Sequence, residues 1–129
     1  MIWAVAIGAA AGGVVRYWVG MAIQHRVGMA FPWGTLMINV TGSLLLGFLI
    51  RYAIATPAIG VEMRALLTTG FCGGYTTFST YSLETMALIE EGQYQRAAAY
   101  AVGSVVLALV ATLVGFTLAR ELVAYRGRA

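Results

Sequence analysis

Apolar residues run through this chain in four blocks, separated by short polar turns. The blocks cover residues 2–23, 33–54, 64–89 and 96–123. Each is long enough for a membrane-crossing helix, which needs roughly 20 mostly apolar residues. The links, residues 24–32, 56–62 and 90–93, are too short to hold an extramembrane domain. The pattern predicts an all-α membrane protein made of one domain, residues 1–129, with four transmembrane helices. Trp18, Trp33, Tyr94 and Tyr125 fall near the predicted ends, where amphipathic rings anchor at the interface.

The third block departs from the pattern. Its stretch GFCGGYTTFSTYS, residues 70–82, carries paired glycines, β-branched hydroxyl residues and closely spaced rings. Gly73-Gly74 weakens a helix by about 1 kcal/mol per glycine, and the hydroxyls of Thr76 and Thr77 can bond freed backbone groups. This predicts a third helix broken in mid-membrane. In hydrocarbon such a break needs protein, water or an ion to satisfy the released carbonyls. A kinked helix and an ion held by main-chain oxygens both remain open on these grounds.

Polar residues recur at helical spacing within the apolar blocks. Thr35, Asn39 and Ser43 share one face of the second block, and Tyr100 and Ser104 share one face of the fourth. Thr77, Thr80 and Glu84 follow at i, i+3 and i+7 in the third. These seams either bond helix to helix or line a hydrated path. Neutral hydroxyls and amides donate hydrogen bonds without holding an anion tightly, whereas a cation route would more naturally use acidic rings. Phe78 and Tyr81 lie three residues apart, so their rings can either pack or turn their positive edges to a small anion. Gly8, Gly12 and Arg16 share a face of the first block, where small residues let backbones approach.

Composition narrows the picture further. Of 129 residues 60% are hydrophobic and only 10% charged, against roughly 25% charged in soluble domains. All eight basic residues are arginine and all five acids glutamate. The arginines are scattered between apolar blocks, which argues against nucleic acid as a partner. Arg51, Arg64, Arg120, Arg126 and Arg128 fall on the side of the termini, and Arg16, Arg26 and Arg96 on the other, a modest lean toward cytoplasmic termini. The single cysteine, Cys72, excludes an intrachain disulfide. No basic side chain precedes the first apolar run, so it reads as a retained helix rather than a signal peptide. The only histidine, His25, is in a link, and no catalytic set is visible, so an enzyme is not expected.

The segment Gly34-Thr35-Leu36 with Asn39, followed by the GGxTTFST stretch and by Tyr100 and Ser104, resembles the Fluc (CrcB) family of fluoride channels across nearly the whole chain. The resemblance implies an antiparallel, dual-topology homodimer in a cell membrane, with a bacterial inner membrane as its home. It implies two pores, each using residues of both copies, and passive export of fluoride from the cytoplasm that confers fluoride resistance. A structural Na+ at the dimer centre would be held by the backbone carbonyls of Gly73 and Thr76. Phe78 and Tyr81 would form the ring contacts of the pore, although Tyr81 stands where phenylalanine is the more familiar residue. Asn39 would present its amide to the ion. Thr35, Thr77, Thr80, Tyr100 and Ser104 would supply hydroxyls, while Ala108 leaves one position of that track without one. Glu84 and Arg16 match supporting positions.

Two other readings compete. A small proton-coupled exporter would need a membrane carboxylate early in the chain, and the first block has none. A non-transporting scaffold would use the seams as glue, which does not require an interrupted backbone.

Overall fold

The computed structural model describes residues 1–129 as helices joined by short turns, with no strand. The helices are α1 (Ile2–Val27), α2 (Trp33–Ala55), α3 (Val61–Ala65), a π-helical stretch (Leu66–Cys72), α4 (Gly73–Tyr75), α5 (Phe78–Glu90) and α6 (Tyr94–Arg128). Three of them, α1, α2 and α6, are long and apolar enough to cross a membrane. The third expected span is not a single helix of that kind. Its residues are divided among α3, the π stretch, α4 and α5.

Two ends move outward from the sequence expectation. α1 continues to Val27 and stops at Gly28, which takes φ 86°, a left-handed conformation that glycine adopts at little cost. α6 continues to Arg128 rather than Val123, because nothing in its last turns before Gly127 disfavours a helix.

The break falls within the expected stretch 70–82, though not at its paired glycines. Gly73 and Gly74 are themselves helical. The chain becomes extended at Thr76 (φ −83°, ψ 158°) and Thr77 (φ −150°, ψ 121°), two residues later. The helical cost of Gly74 is offset by packing. A Cβ there would strike the carbonyl oxygen of Ala9, so the glycine lets α4 lie directly on α1. Gly8 and Gly12 do the same from the other side, against the backbone of Leu66 and Phe71.

α2 and α6 form the other close pair. A Cβ on Gly47 would collide with the Thr112 carbonyl, and one on Gly115 with that of Leu44. These contacts, with Ser43 beside Thr112 and Arg51 over the Phe116 ring, show the two helices running in the same direction. The contact of Met1 with Glu62 and that of Arg16 with Gly74 run α1 alongside the interrupted segment. Both termini and the 56–60 turn therefore lie at one end of the bundle. The 28–32 and 91–93 turns lie at the other, where the Gln24 side chain accepts from Gly34 N–H and donates to the Phe31 carbonyl. That satisfies one of the orphan donors at the start of α2.

Candidate functional site

The interruption is held by one side chain. Asn39, on the polar face of α2, donates from Nδ2 to the Thr77 carbonyl at 3.0 Å and accepts the Thr77 N–H on Oδ1 at 2.8 Å. The carboxamide pairs with the extended backbone as a neighbouring strand would. In an unbroken helix the Thr77 N–H would bond the carbonyl of Gly73, four residues back. Thr77 also caps α5, where its Oγ1 accepts the Thr80 N–H at 3.3 Å. That donor would otherwise reach the Thr76 carbonyl. Two N–H groups that would close the ladder onto Gly73 and Thr76 are thus directed elsewhere. On the other side, Arg16 Nε donates to the Gly74 carbonyl at 3.2 Å.

A cavity of about 250 Å³ opens beside the break. Asn39, Ser43, Thr76, Thr77, Phe78, Tyr81, Ser104 and Ala108 are among the residues that line it. Asn39 Nδ2 carries two hydrogens, so one remains after the bond to Thr77. Ser104 is buried, and its hydroxyl oxygen has no hydrogen-bond partner. An unpartnered buried hydroxyl is costly, and Ser104 is among the residues that line this cavity. Ala108 brings no hydroxyl to this wall.

The rings follow one another along the same region. Phe78 and Tyr81 have centroids 5.4 Å apart, as do Tyr81 and Tyr100. Tyr100 meets Phe31 edge-on at 5.6 Å. The Tyr81 hydroxyl donates to the Ala101 carbonyl at 2.9 Å. Phe78, first in α5, is 78% exposed on the single chain.

Glu84 gathers two of the expected donors. Thr35 Oγ1 donates to one carboxylate oxygen at 2.7 Å and Tyr100 OH to the other at 2.8 Å. Each hydroxyl has one proton, so both protons are committed to Glu84 here and only lone pairs face away. Thr35 and Glu84 border a wider cavity of about 420 Å³ that reaches Gln24 and Glu91 at the turn end of the bundle.

The predicted residues therefore fall into three groups. Asn39, Thr76, Thr77, Phe78, Tyr81 and Ser104 line one cavity, with Thr80 bonded to Thr77. Thr35, Glu84 and Tyr100 form a hydrogen-bonded knot next to it. Gly73 and Arg16 lie apart. Arg16 sits on the α1 side of the break, and Gly73 is exposed with no neighbouring atom around the place of a Cβ. Sequence reasoning found the polar face of Asn39 but not its double bond to Thr77. It also missed the 2.9 Å bond between Thr41 Oγ1 and the Tyr75 hydroxyl, which fixes α4 to α2 just before the break.

Comparison with known proteins covers almost the whole chain. The family described as CrcB-like protein, Camphor Resistance (CrcB), matches residues 3–116. The chain is 49% identical over 119 residues to the fluoride-specific ion channel FluC of Rhizobium meliloti (strain 1021), covering 92% of this chain and 95% of that one. It is 50% identical over 124 residues to FluC of Nitrobacter winogradskyi, covering 92% and 94%. With FluC of Aquifex aeolicus it shares 39% over 122 residues, covering 95% and 98%.

Proposed function

The chain belongs to the CrcB family, and from that membership we propose that it is a fluoride channel letting the ion leave the cytoplasm passively and so conferring fluoride resistance. Like its relatives it is a multi-pass membrane protein and not an enzyme. The observation that carries the reading is the buried Ser104 hydroxyl without a partner, in a cavity it shares with a spare Asn39 N–H and the Phe78 and Tyr81 rings. These groups suit fluoride physically. The ion is small and strongly hydrated, so a path must replace its water shell with donors and still release it. A hydroxyl, an amide hydrogen and ring edges do this without a fixed positive charge.

In this proposal two copies insert in opposite directions and form two pores, in a bacterial inner membrane. The exposed Phe78 would then face the second copy. The interrupted segment Val61–Glu90 is the third of four crossings, with its break at mid-membrane.

The backbone also suits a monovalent cation. The N–H groups of Thr77 and Thr80 are bonded to Asn39 Oδ1 and Thr77 Oγ1, which frees the carbonyls of Gly73 and Thr76 from their regular helical donors. Gly73, exposed and without a side chain, lets a second copy come close. These carbonyls from two copies would hold a structural Na+, which supplies a positive charge to balance oxygens otherwise unsatisfied in the bilayer.

The test is fluoride release from liposomes containing the purified protein, followed with a fluoride electrode and with chloride as the control. Wild-type protein should release fluoride and retain chloride. Phe78→Ile should remove the release while the protein still elutes as a folded species, since an aliphatic chain has no ring quadrupole. Fluoride release no faster than from empty liposomes would refute the channel reading.

A further inference from the structure

Along their shared seam α2 and α6 bring residues together level by level. The two helices are parallel, and a Cβ on Gly47 would meet the Thr112 backbone. One turn earlier on each helix, at four-residue spacing, stand Ser43 and Ala108. The Thr112 hydroxyl confirms them as neighbours, since it donates to the Ala108 carbonyl at 2.9 Å and lies 3.5 Å from that of Ser43. Asn39 and Ser104 come a turn before these, and Thr35 and Tyr100 a turn before those. Thr35 and Tyr100 meet through Glu84, to which both hydroxyls donate. The two middle levels, Asn39 with Ser104 and Ser43 with Ala108, line the cavity of about 250 Å³.

The serine and threonine hydroxyls of these two helices are spent in different ways. Thr41, Thr112 and Thr117 each donate to the carbonyl four residues back in their own helix, the local bond open to any hydroxyl inside a helix. Thr35 donates to Glu84. Ser43 and Ser104 make no side-chain hydrogen bond. Ser104 is buried without a partner, and Ser43 meets α6 only through its carbonyl. Both unspent hydroxyls belong to the same cavity. Tyr81 lines it too, but its hydroxyl proton is committed to the Ala101 carbonyl.

We infer that Ser43 donates a hydrogen bond to fluoride at the level where Ala108 gives α6 no hydroxyl. A hydroxyl is the same donor whichever helix carries it, and hydrogen bonds to an anion are stronger than neutral ones. With Ser104 and the remaining Asn39 N–H, Ser43 makes three uncharged donors on two successive levels. An ion passing from one level to the next then meets a new donor instead of methyl groups. The release of one partner and the capture of the next can overlap, which keeps each bond weak enough to leave. The inference deepens the fluoride reading and rests on it.

The test is fluoride release from liposomes, compared among wild type and three variants. Ser43→Ala should release fluoride more slowly by on the order of tenfold, the effect of one lost hydrogen bond to an anion. Alanine is the better helix former, so this variant should elute and melt as wild type does. Adding Ala108→Ser to it should restore release to within a few-fold, because the hydroxyl returns to the same level from α6. Thr117→Val, whose hydroxyl bonds its own helix, should leave release unchanged. Wild-type rates in Ser43→Ala would overturn the inference. A Ser43→Ala protein that fails to fold, or is slow and not rescued by Ala108→Ser, would also overturn it, by making Ser43 a packing residue. Wild-type protein that releases no fluoride would instead end the channel reading, and this assignment with it.

Discussion

The α2–α6 seam and the seam between α1 and the interrupted segment use the same packing device to different ends. In both, glycines bring one backbone against another, Gly47 and Gly115 in the first and Gly8, Gly12 and Gly74 in the second. Along α2 and α6 the helices stay regular, and the hydroxyl of Thr112 bonds back to the Ala108 carbonyl of its own helix at 2.9 Å. Along α1 the facing chain widens into a π stretch and then opens at Thr76 and Thr77. Close packing by itself therefore does not break a helix. The break occurs where side chains compete for backbone groups: Asn39 for both groups of Thr77, Thr77 for the N–H of Thr80, Arg16 for the Gly74 carbonyl.

The largest effect should come from filling the close approaches, which tests what the two seams share. Gly12→Val and Gly115→Val each drive a side chain into opposing backbone and should cost about 3 kcal/mol or more. Both should abolish monodisperse protein on size exclusion. Gly60→Ala, in an open turn, should be silent. If only one seam proves sensitive, the shared device is lost as an explanation.

The second test separates the seams. Asn39→Asp keeps the shape but replaces the Nδ2 donor by an oxygen facing the Thr77 carbonyl. It should lower thermal stability by about 1–3 kcal/mol and reduce fluoride release to the level of empty liposomes. Retained release would mean that the opening does not depend on this amide. The smallest effect is expected at Tyr81→Phe, which removes only the hydroxyl bond to the Ala101 carbonyl. A loss of about 1 kcal/mol, with release within a few-fold of wild type, would show that the ring matters more than its hydroxyl.

How much of this was legible in the sequence differs between the same two regions. The runs that become α1, α2 and α6 are visible because burial in lipid demands unbroken apolar residues. Their ends are less so. Ala124 to Arg128 continue the helix on local propensity after the apolar pattern has stopped. The interruption was foreseen within residues 70–82, but not that its glycines stay helical, since glycine's cost is local and readable while the packing of Gly74 on Ala9 is tertiary. The π stretch leaves no pattern of its own in the sequence. The i, i+4 spacing placed Asn39 on the right face, yet no spacing could reveal that its partner is the backbone of Thr77. Nor could it reveal that Glu84 holds the hydroxyl protons of Thr35 and Tyr100. The ions and the paired copies came from the resemblance, through the GTLxxN and GGxTTFST segments.

The widened stretch Leu66–Cys72 also sets an azimuth. Rewinding its seven residues into an ordinary α-helix, with none removed, would turn everything downstream by roughly 100°. Thr77 would then swing away from Asn39, and Phe78 would point to a different neighbour. The winding of this segment thus aims the break, although no residue within it lines the cavity.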